Sequence, residues 1–170
     1  MSSNHQPYQH IRYFTELMSN YLDEKDHLKS MYHRFPRLEN FEAQILEKQL
    51  EWKDSPIKRT VLTDVLQRQY ENIADNETSL KNINLLKGQN TFTVTTGHQL
   101  NLFTGPLYFL YKIISTINLC RKLQQTHPDY NFVPIYWMAT EDHDFEEIQY
   151  FNYGNKKVVY NRDSSGGVGR

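Results

Sequence analysis

The sequence predicts an α/β chain in which a run of N-terminal helices leads into a βαβ unit with two parallel strands. Three observations predict it. The charged residues are unevenly spread, with 25 in 1–90, nine in 91–150 and five in 151–170. The first stretch therefore reads as polar helices and the second as buried core. Apolar residues of the first stretch recur at helical spacing. Beyond it, two short β-branched and aromatic runs, Thr91-Phe-Thr-Val-Thr and Phe132-Val-Pro-Ile-Tyr-Trp-Met, bracket a single helical pattern. Parallel strands need such a crossover, and its hand is right-handed. The expected organisation is a helical segment over 1–88 and the beginning of an α/β core over 89–170.

The helices follow in order. Phe14, Leu17, Met18 and Tyr21 form one apolar stripe, and Phe41, Ile45, Leu46 and Leu50 form another. A third helix runs from Thr60 to Tyr70 through Val61, Leu62, Val65 and Leu66. A fourth follows Asn76 as N-cap, through Leu80, Ile83 and Leu86, to Lys87-Gly88 as its stop. Pro36 and Pro56 punctuate the gaps. The first strand is expected to end at Gly97, with a loop after it. A long helix then opens with Pro106 as its first residue, the favoured place for proline. Its apolar face is Leu107, Leu110, Ile113 or Ile114, Ile117, Cys120 and Leu123, and His127-Pro128-Asp129 breaks it. Pro134 lacks a donor, which suits the start of the second strand or an edge. Gln149–Tyr153 and Lys156–Tyr160 read as a hairpin about Gly154-Asn155.

Composition excludes several classes. Nineteen Lys and Arg against 20 Asp and Glu leave a formal charge of -1, without the basic excess of a nucleic-acid or membrane-surface binder. The single cysteine, Cys120, rules out an internal disulfide or a multi-cysteine zinc site. The opening MSSNHQPYQHIRYF lacks the regions of a signal peptide, and LFTGPLYFLYKII is too short and too interrupted to span a bilayer. A soluble, cytoplasmic protein is expected.

In an open parallel sheet, ligands bind beyond the carboxyl ends of the strands. TTGHQLNLFTG leaves the first strand at that edge and TEDHD leaves the second, so the polar residues of an otherwise apolar region converge there. The first loop suits an anion: Gly97 and Gly105 allow close backbone approach, and the following helix aims unpaired N–H groups at it. Thr95, Thr96, His98, Gln99, Asn101 and Thr104 add neutral donors, and Lys112 lies two turns inside the helix. A phosphate or a carboxylate both fit, and so does a loop that merely caps the helix. Glu141, Asp142, His143 and Asp144 read three ways: ligands for a magnesium ion, partners for substrate hydroxyls or an amine, or an acidic helix start before Phe145-Glu-Glu-Ile148. Tyr108, Phe109, Tyr111, Tyr136 and Trp137 read as core and pocket wall. Cys120 reads as a small buried hydrophobe. His5, His10, His27, His33 and His127 read as solvated, and the charge-rich stretch 39–59 as a solvated helix face.

TTGHQLNLFTGPLYFLYKI followed by FVPIYWMATEDHDFEEI resembles the bacillithiol-biosynthesis cysteine-adding enzymes, the cysteine ligase family, and the N-terminal helices resemble it too. The resemblance implies a Rossmann-like core related to nucleotidyltransferases and a reaction joining cysteine to glucosaminyl-malate. Thr95-Thr96-Gly97-His98 resembles the T-x-G-H form of the nucleotidyltransferase signature, whose histidine stabilises a transferring phosphoryl group. It places Gly97, His98, Gln99, Asn101, Thr104 and Gly105 on one ligand loop and Glu141, Asp142, His143 and Asp144 on another.

Family members are implied to be much longer, with more parallel strands and a C-terminal coiled coil for homodimerisation. This sequence closes on Ser164-Ser-Gly-Gly-Val-Gly-Arg170. An incomplete Rossmann-like core, the N-terminal piece of a longer enzyme, is therefore the expectation. The implied chemistry is ATP-assisted amide formation, with ATP or ADP and magnesium as cofactors. His98 and Lys112 would stabilise phosphate charge, and the acidic cluster would hold magnesium or the incoming amine. Two alternatives stand beside it: a nucleotidyltransferase with another small substrate, and a non-catalytic interaction module.

Overall fold

The computed structural model describes residues 7–54 and 59–169. The chain separates into two compact units, Met1–Asp54 and Ser55–Arg170. Pro56, His5 and Arg170 lie outside the described residues.

In the first unit, α1 (Glu16–Leu22) begins where the Thr15 hydroxyl accepts from the Met18 N–H, satisfying one of the orphan donors of a helix start. Turns of 3-10 helix at Asp26–Met31 and Leu38–Asn40 lead into α2 (Phe41–Asp54). Leu28 and Ile45 are buried, and Tyr21 packs on Tyr32 and Phe35 at 5.3 and 5.1 Å between ring centres. Of the charge-rich stretch 39–59, residues 55–58 lie outside the described residues, and the described part is less uniformly solvated than its charge suggests. Glu47 accepts from Arg34 at 2.6 Å and bonds His33 at 2.7 Å. His33, mostly exposed, is thus also partnered, and these two groups hold the Glu47 carboxyl below its usual range.

The second unit opens with α3 (Arg59–Tyr70) and α4 (Glu77–Leu85). Asn76 precedes α4 as expected, but its amide donates to the Tyr70 carbonyl at 2.8 Å and makes no side-chain cap. The unit boundary falls at 54/55 rather than at Gly88, where the sequence changes character. The reason is visible at the junction: the Arg59 guanidinium donates to the carbonyls of Leu86 and Thr91 at 3.0 and 3.1 Å, and the buried Thr91 hydroxyl donates to Leu85 at 2.6 Å. These bonds tie α3 and the end of α4 to the first strand.

β1 (Thr91–Gln99) and β2 (Asn131–Ala139) are parallel, in register from Thr91 opposite Asn131 to Gln99 opposite Ala139, and α5 (Leu107–Thr126) crosses between them. The βαβ unit is therefore as predicted. β1 runs two residues past its expected end, so Gly97, His98 and Gln99 belong to the strand and not to a loop. Gly97 makes this possible: a Cβ there would sit 2.9 Å from the Trp137 carbonyl oxygen and 3.1 Å from its Cβ. The glycine serves close strand pairing. Pro134 pairs with Val94 inside β2, a strand with β1 as its one hydrogen-bonded neighbour among the described residues. Pro106 is the N-cap of α5 and extended, not its first helical residue.

Phe92, Cys120, Leu123, Phe132 and Val133 form the core, with Phe92 stacked on Phe132 across the strands at 6.0 Å. Only the C-terminal half of the predicted α5 face is buried. Leu107, Leu110 and Ile114 remain exposed, because a two-stranded sheet offers too little surface to cover five turns of helix. Tyr108, Tyr111 and Trp137, expected as wall, are also more than half exposed. After one turn of helix, α6 (Phe145–Ile148), β3 (Tyr150–Tyr153) and β4 (Lys156–Val159) form the predicted hairpin. Gly154 holds φ +58, as the first position of a tight two-residue turn requires.

Candidate active site

Period-2 alternation in β1 sends Thr96 and His98 to one face and Thr95, Gly97 and Gln99 to the other. His98 faces α5: its ring lies 5.2 Å from Tyr108 and 5.8 Å from Phe109, whose ring meets Tyr136 at 5.5 Å. The imidazole is held at both nitrogens. Nε2 lies 2.6 Å from the Tyr108 hydroxyl, and Nδ1 lies 2.8 Å from the Asn101 amide nitrogen. The Asn101 amide also donates to the Gln99 carbonyl at 2.9 Å.

The loop after β1 carries two left-handed residues, Phe103 at φ 50 and Gly105 at φ 64. Phe103 is mostly exposed and packs edge-on against Phe151 at 4.9 Å. A Cβ on Gly105 would lie 2.9 Å from Asn101 Cβ, so Gly105 lets Asn101 reach the histidine. Between this loop and the 147–153 segment lies a cleft of about 980 Å³, lined by His98, Asn101, Tyr108, Glu147, Tyr150 and Phe151 among others.

The two strand ends meet where the Gln99 amide donates to the Asp142 carboxylate at 2.8 Å. Within the second segment the Trp137 indole donates to Glu141 at 3.4 Å. The Gln99 bond, then the Asp144 N–H at 3.1 Å, hold the Asp142 carboxyl below its usual range. His143 and Asp144 look elsewhere, into a separate hollow of about 600 Å³ shared with Arg162, Asp163 and Ser164. The expected catalytic set is therefore split. His98 lines the cleft, Asp142 is joined to it through Gln99, and His143 with Asp144 lie apart.

Other expected ligand residues serve the protein itself. Lys112 donates from its ammonium to the Gly97 carbonyl. Thr95 is exposed mid-strand on the face opposite His98, and Thr96 pairs with Tyr136 within the sheet. Thr104 ends a short 3-10 turn, Leu102–Thr104, and its side chain lies outside the described residues. Among the described residues, no three His, Cys, Asp or Glu side chains converge as metal ligands.

Sequence reasoning missed three things. Tyr108 is the polar partner of His98 rather than wall alone. Glu147, Tyr150 and Phe151 close the cleft. The glycine-rich segment after Ser165 packs on the second turn: the Val168 and Gly169 N–H groups donate to the carbonyls of Asp142 and Thr140 at 2.8 and 3.0 Å. A Cβ on Gly169 would lie 2.4 Å from Thr140 Cβ. The clustered glycines were the available signal, since glycine runs mark close backbone approach as well as looseness.

Cys120 matches its expected inert role. It is buried on α5, and desolvation pushes its thiol up to about 11. A raised folded value means that stability is intact below the unfolded thiol pKa and falls as pH rises from there through the folded value. At pH 8 the native thiol is expected to label at least tenfold more slowly with a disulfide reagent than the denatured chain. Equal rates in the two states would contradict this burial.

Parallel strands, a crossover helix and a cleft at their carboxyl ends define a Rossmann-like α/β module. The family model described as "Bacillithiol biosynthesis BshC, N-terminal Rossmann-like domain" matches residues 1–170, and the chain belongs to this family. It is 58% identical over 163 residues to the "Putative cysteine ligase BshC" of Flavobacterium psychrophilum, covering 96% of this chain and 30% of that protein. The protein of the same name from Flavobacterium johnsoniae is 57% identical over the same shares. That of Cytophaga hutchinsonii is 40% identical over 92% of this chain and 29% of its own length. The chain thus spans about 30% of the length of these relatives. No helix among the described residues is long and apolar enough to cross a membrane.

Proposed function

We propose that this chain supplies the first strand pair and a ligand cleft of a ligase that joins cysteine to glucosaminyl-malate through an amide bond. The observation that carries the reading is the junction of the two strand ends. His98 opens on the cleft from β1, while Gln99 holds Asp142 from the turn after β2. The name of the relatives, cysteine ligase, and the family's description, bacillithiol biosynthesis, support the activity and its setting.

In this reading the cysteine carboxyl is activated by ATP as an acyl-phosphate or acyl-adenylate, and the sugar amine attacks its carbonyl carbon, forming the C–N bond as phosphate or AMP leaves and the amine gives up a proton. Nucleotide binding supplies the activating phosphoryl or adenylyl group. On this chain, the N–H groups opening α5 and the His98–Tyr108 pair are disposed toward anionic oxygens at the cleft. Asp142 orients the incoming amine or its neighbours as a carboxylate, and His143 and Asp144 act from the adjoining hollow. A magnesium ion accompanying the nucleotide would draw its ligands mainly from phosphate oxygens.

The test is to incubate the full-length protein with cysteine and glucosaminyl-malate, with and without ATP, and to follow the thiol product by mass spectrometry. A product of the summed masses less one water supports the reading. Return of both substrates unchanged with ATP present would overturn it, and product formed equally well without ATP would overturn the activation by ATP.

A further inference from the structure

We propose that Tyr108 is the group through which His98 meets its ligand, the pair presenting a phenolic O–H to an oxyanion in the cleft. This rests on the reading of the cleft as a substrate site, but the hydrogen positions follow from this chain's own geometry.

The hydrogen-bond directions we assign start from the Asn101 amide. Its side-chain nitrogen lies 2.9 Å from the Gln99 carbonyl oxygen, which only accepts. The atom facing that carbonyl is therefore the NH2 group, since the amide oxygen there would set two acceptors against each other. The same nitrogen lies 2.8 Å from His98 Nδ1, and we take this shorter contact, from an amide N–H to the Nδ1 lone pair, ahead of the 3.1 Å contact between Nδ1 and the Gln99 carbonyl. With Nδ1 accepting, the neutral imidazole carries its proton on Nε2. Nε2 donates to the Tyr108 oxygen at 2.6 Å.

That oxygen accepts from the imidazole, so its own hydrogen is free to point elsewhere. Tyr108 is 53% exposed and lines the cleft with His98. A hydroxyl that accepts one bond is a better donor of the next, because the bonds polarise each other. The ligand chemistry this suits is an anionic oxygen: the carboxylate of a substrate, or a phosphate of the nucleotide. Asn101 is a positioning residue here, and Tyr108 is the contact.

Histidine-labelled chain examined by long-range proton–nitrogen NMR reads the tautomer directly, with His98→Ala used to assign the signal. The expected result is a proton on Nε2 in the wild type and in Tyr108→Phe. Asn101→Asp, which replaces the donor by an acceptor, is expected to move it to Nδ1. A wild-type proton on Nδ1, or no change in Asn101→Asp, overturns the assignment whatever the enzyme's activity. In the full-length enzyme, Tyr108→Phe is expected to lower kcat/KM by about tenfold or more, the size of one hydrogen bond to a charged group. A rise in KM for the carboxylate substrate alone places a carboxylate at the hydroxyl, and a rise for ATP alone places a phosphate. Unchanged kinetics for both, with the tautomer as expected, overturns the contact while leaving the functional reading standing.

Discussion

On the proposed cysteine-ligase reading, the full-length protein carrying His98→Ala is expected to lose on the order of 10²-fold or more in kcat/KM for cysteine addition, with its unfolding curve little changed. The size follows from position. The imidazole sits at the end of β1, is fixed at both nitrogens, and lines the cleft. Preorganised donors of this kind act without reorganisation when charge develops. Removing the ring also frees Asn101 and Tyr108, so one substitution dismantles three oriented groups. Stability is spared because the ring is only part-buried and lies outside the cluster of Phe92, Leu123 and Val133. Steady-state kinetics beside a denaturant titration separates the two effects. Thiol synthesis at the wild-type rate would remove His98 from the mechanism.

Leu123→Ala is expected to have the largest effect on stability, about 2–5 kcal/mol in urea unfolding. Leu123 is 1% exposed on the last turns of α5, in the half of the helix that the two strands cover. Truncation there removes transfer energy and leaves a cavity that neighbouring Phe132 and Val133 cannot easily fill. The same change at Leu107, 65% exposed at the other end of α5, is expected to cost within about 0.5 kcal/mol in this chain. Equal costs at the two positions would contradict the one-sided burial of the helix.

That contrast marks where the sequence was and was not readable. Helical spacing and the β-branched runs give each element near its place, because each pattern is local and period-specific. The spacing of α5 reports which residues share a face, but not how much of that face finds a partner. Gly97 illustrates the other limit. Read alone, glycine ends a strand; only the approach of Trp137 from the neighbouring strand shows that it extends one. Lys112 was well placed for an anion by linear distance, yet the Gly97 carbonyl takes its ammonium. That His98, Gln99, Asn101 and Asp142 would be neighbours was legible because parallel strands bring their ends to one edge. Tyr108, the hairpin wall and the glycine-rich clasp on Thr140 and Asp142 were not, since each depends on a tertiary contact between segments with no shared pattern.

The central claim is that the two strand ends form one site, joined through Gln99 and Asp142. Carbon NMR of the Asp142 carboxyl across an acid titration tests it most directly, in the wild type and in Gln99→Ala. The wild-type carboxyl is expected to titrate below an ordinary aspartate, because the Gln99 amide favours its charged form. A depressed folded value contributes stability that is full above the unfolded aspartate pKa and is lost as pH falls through the folded one. In Gln99→Ala the midpoint is expected to move up toward the ordinary value, with a smaller acid-dependent loss of stability. An ordinary Asp142 midpoint that does not respond to Gln99→Ala would show that the strand ends do not meet.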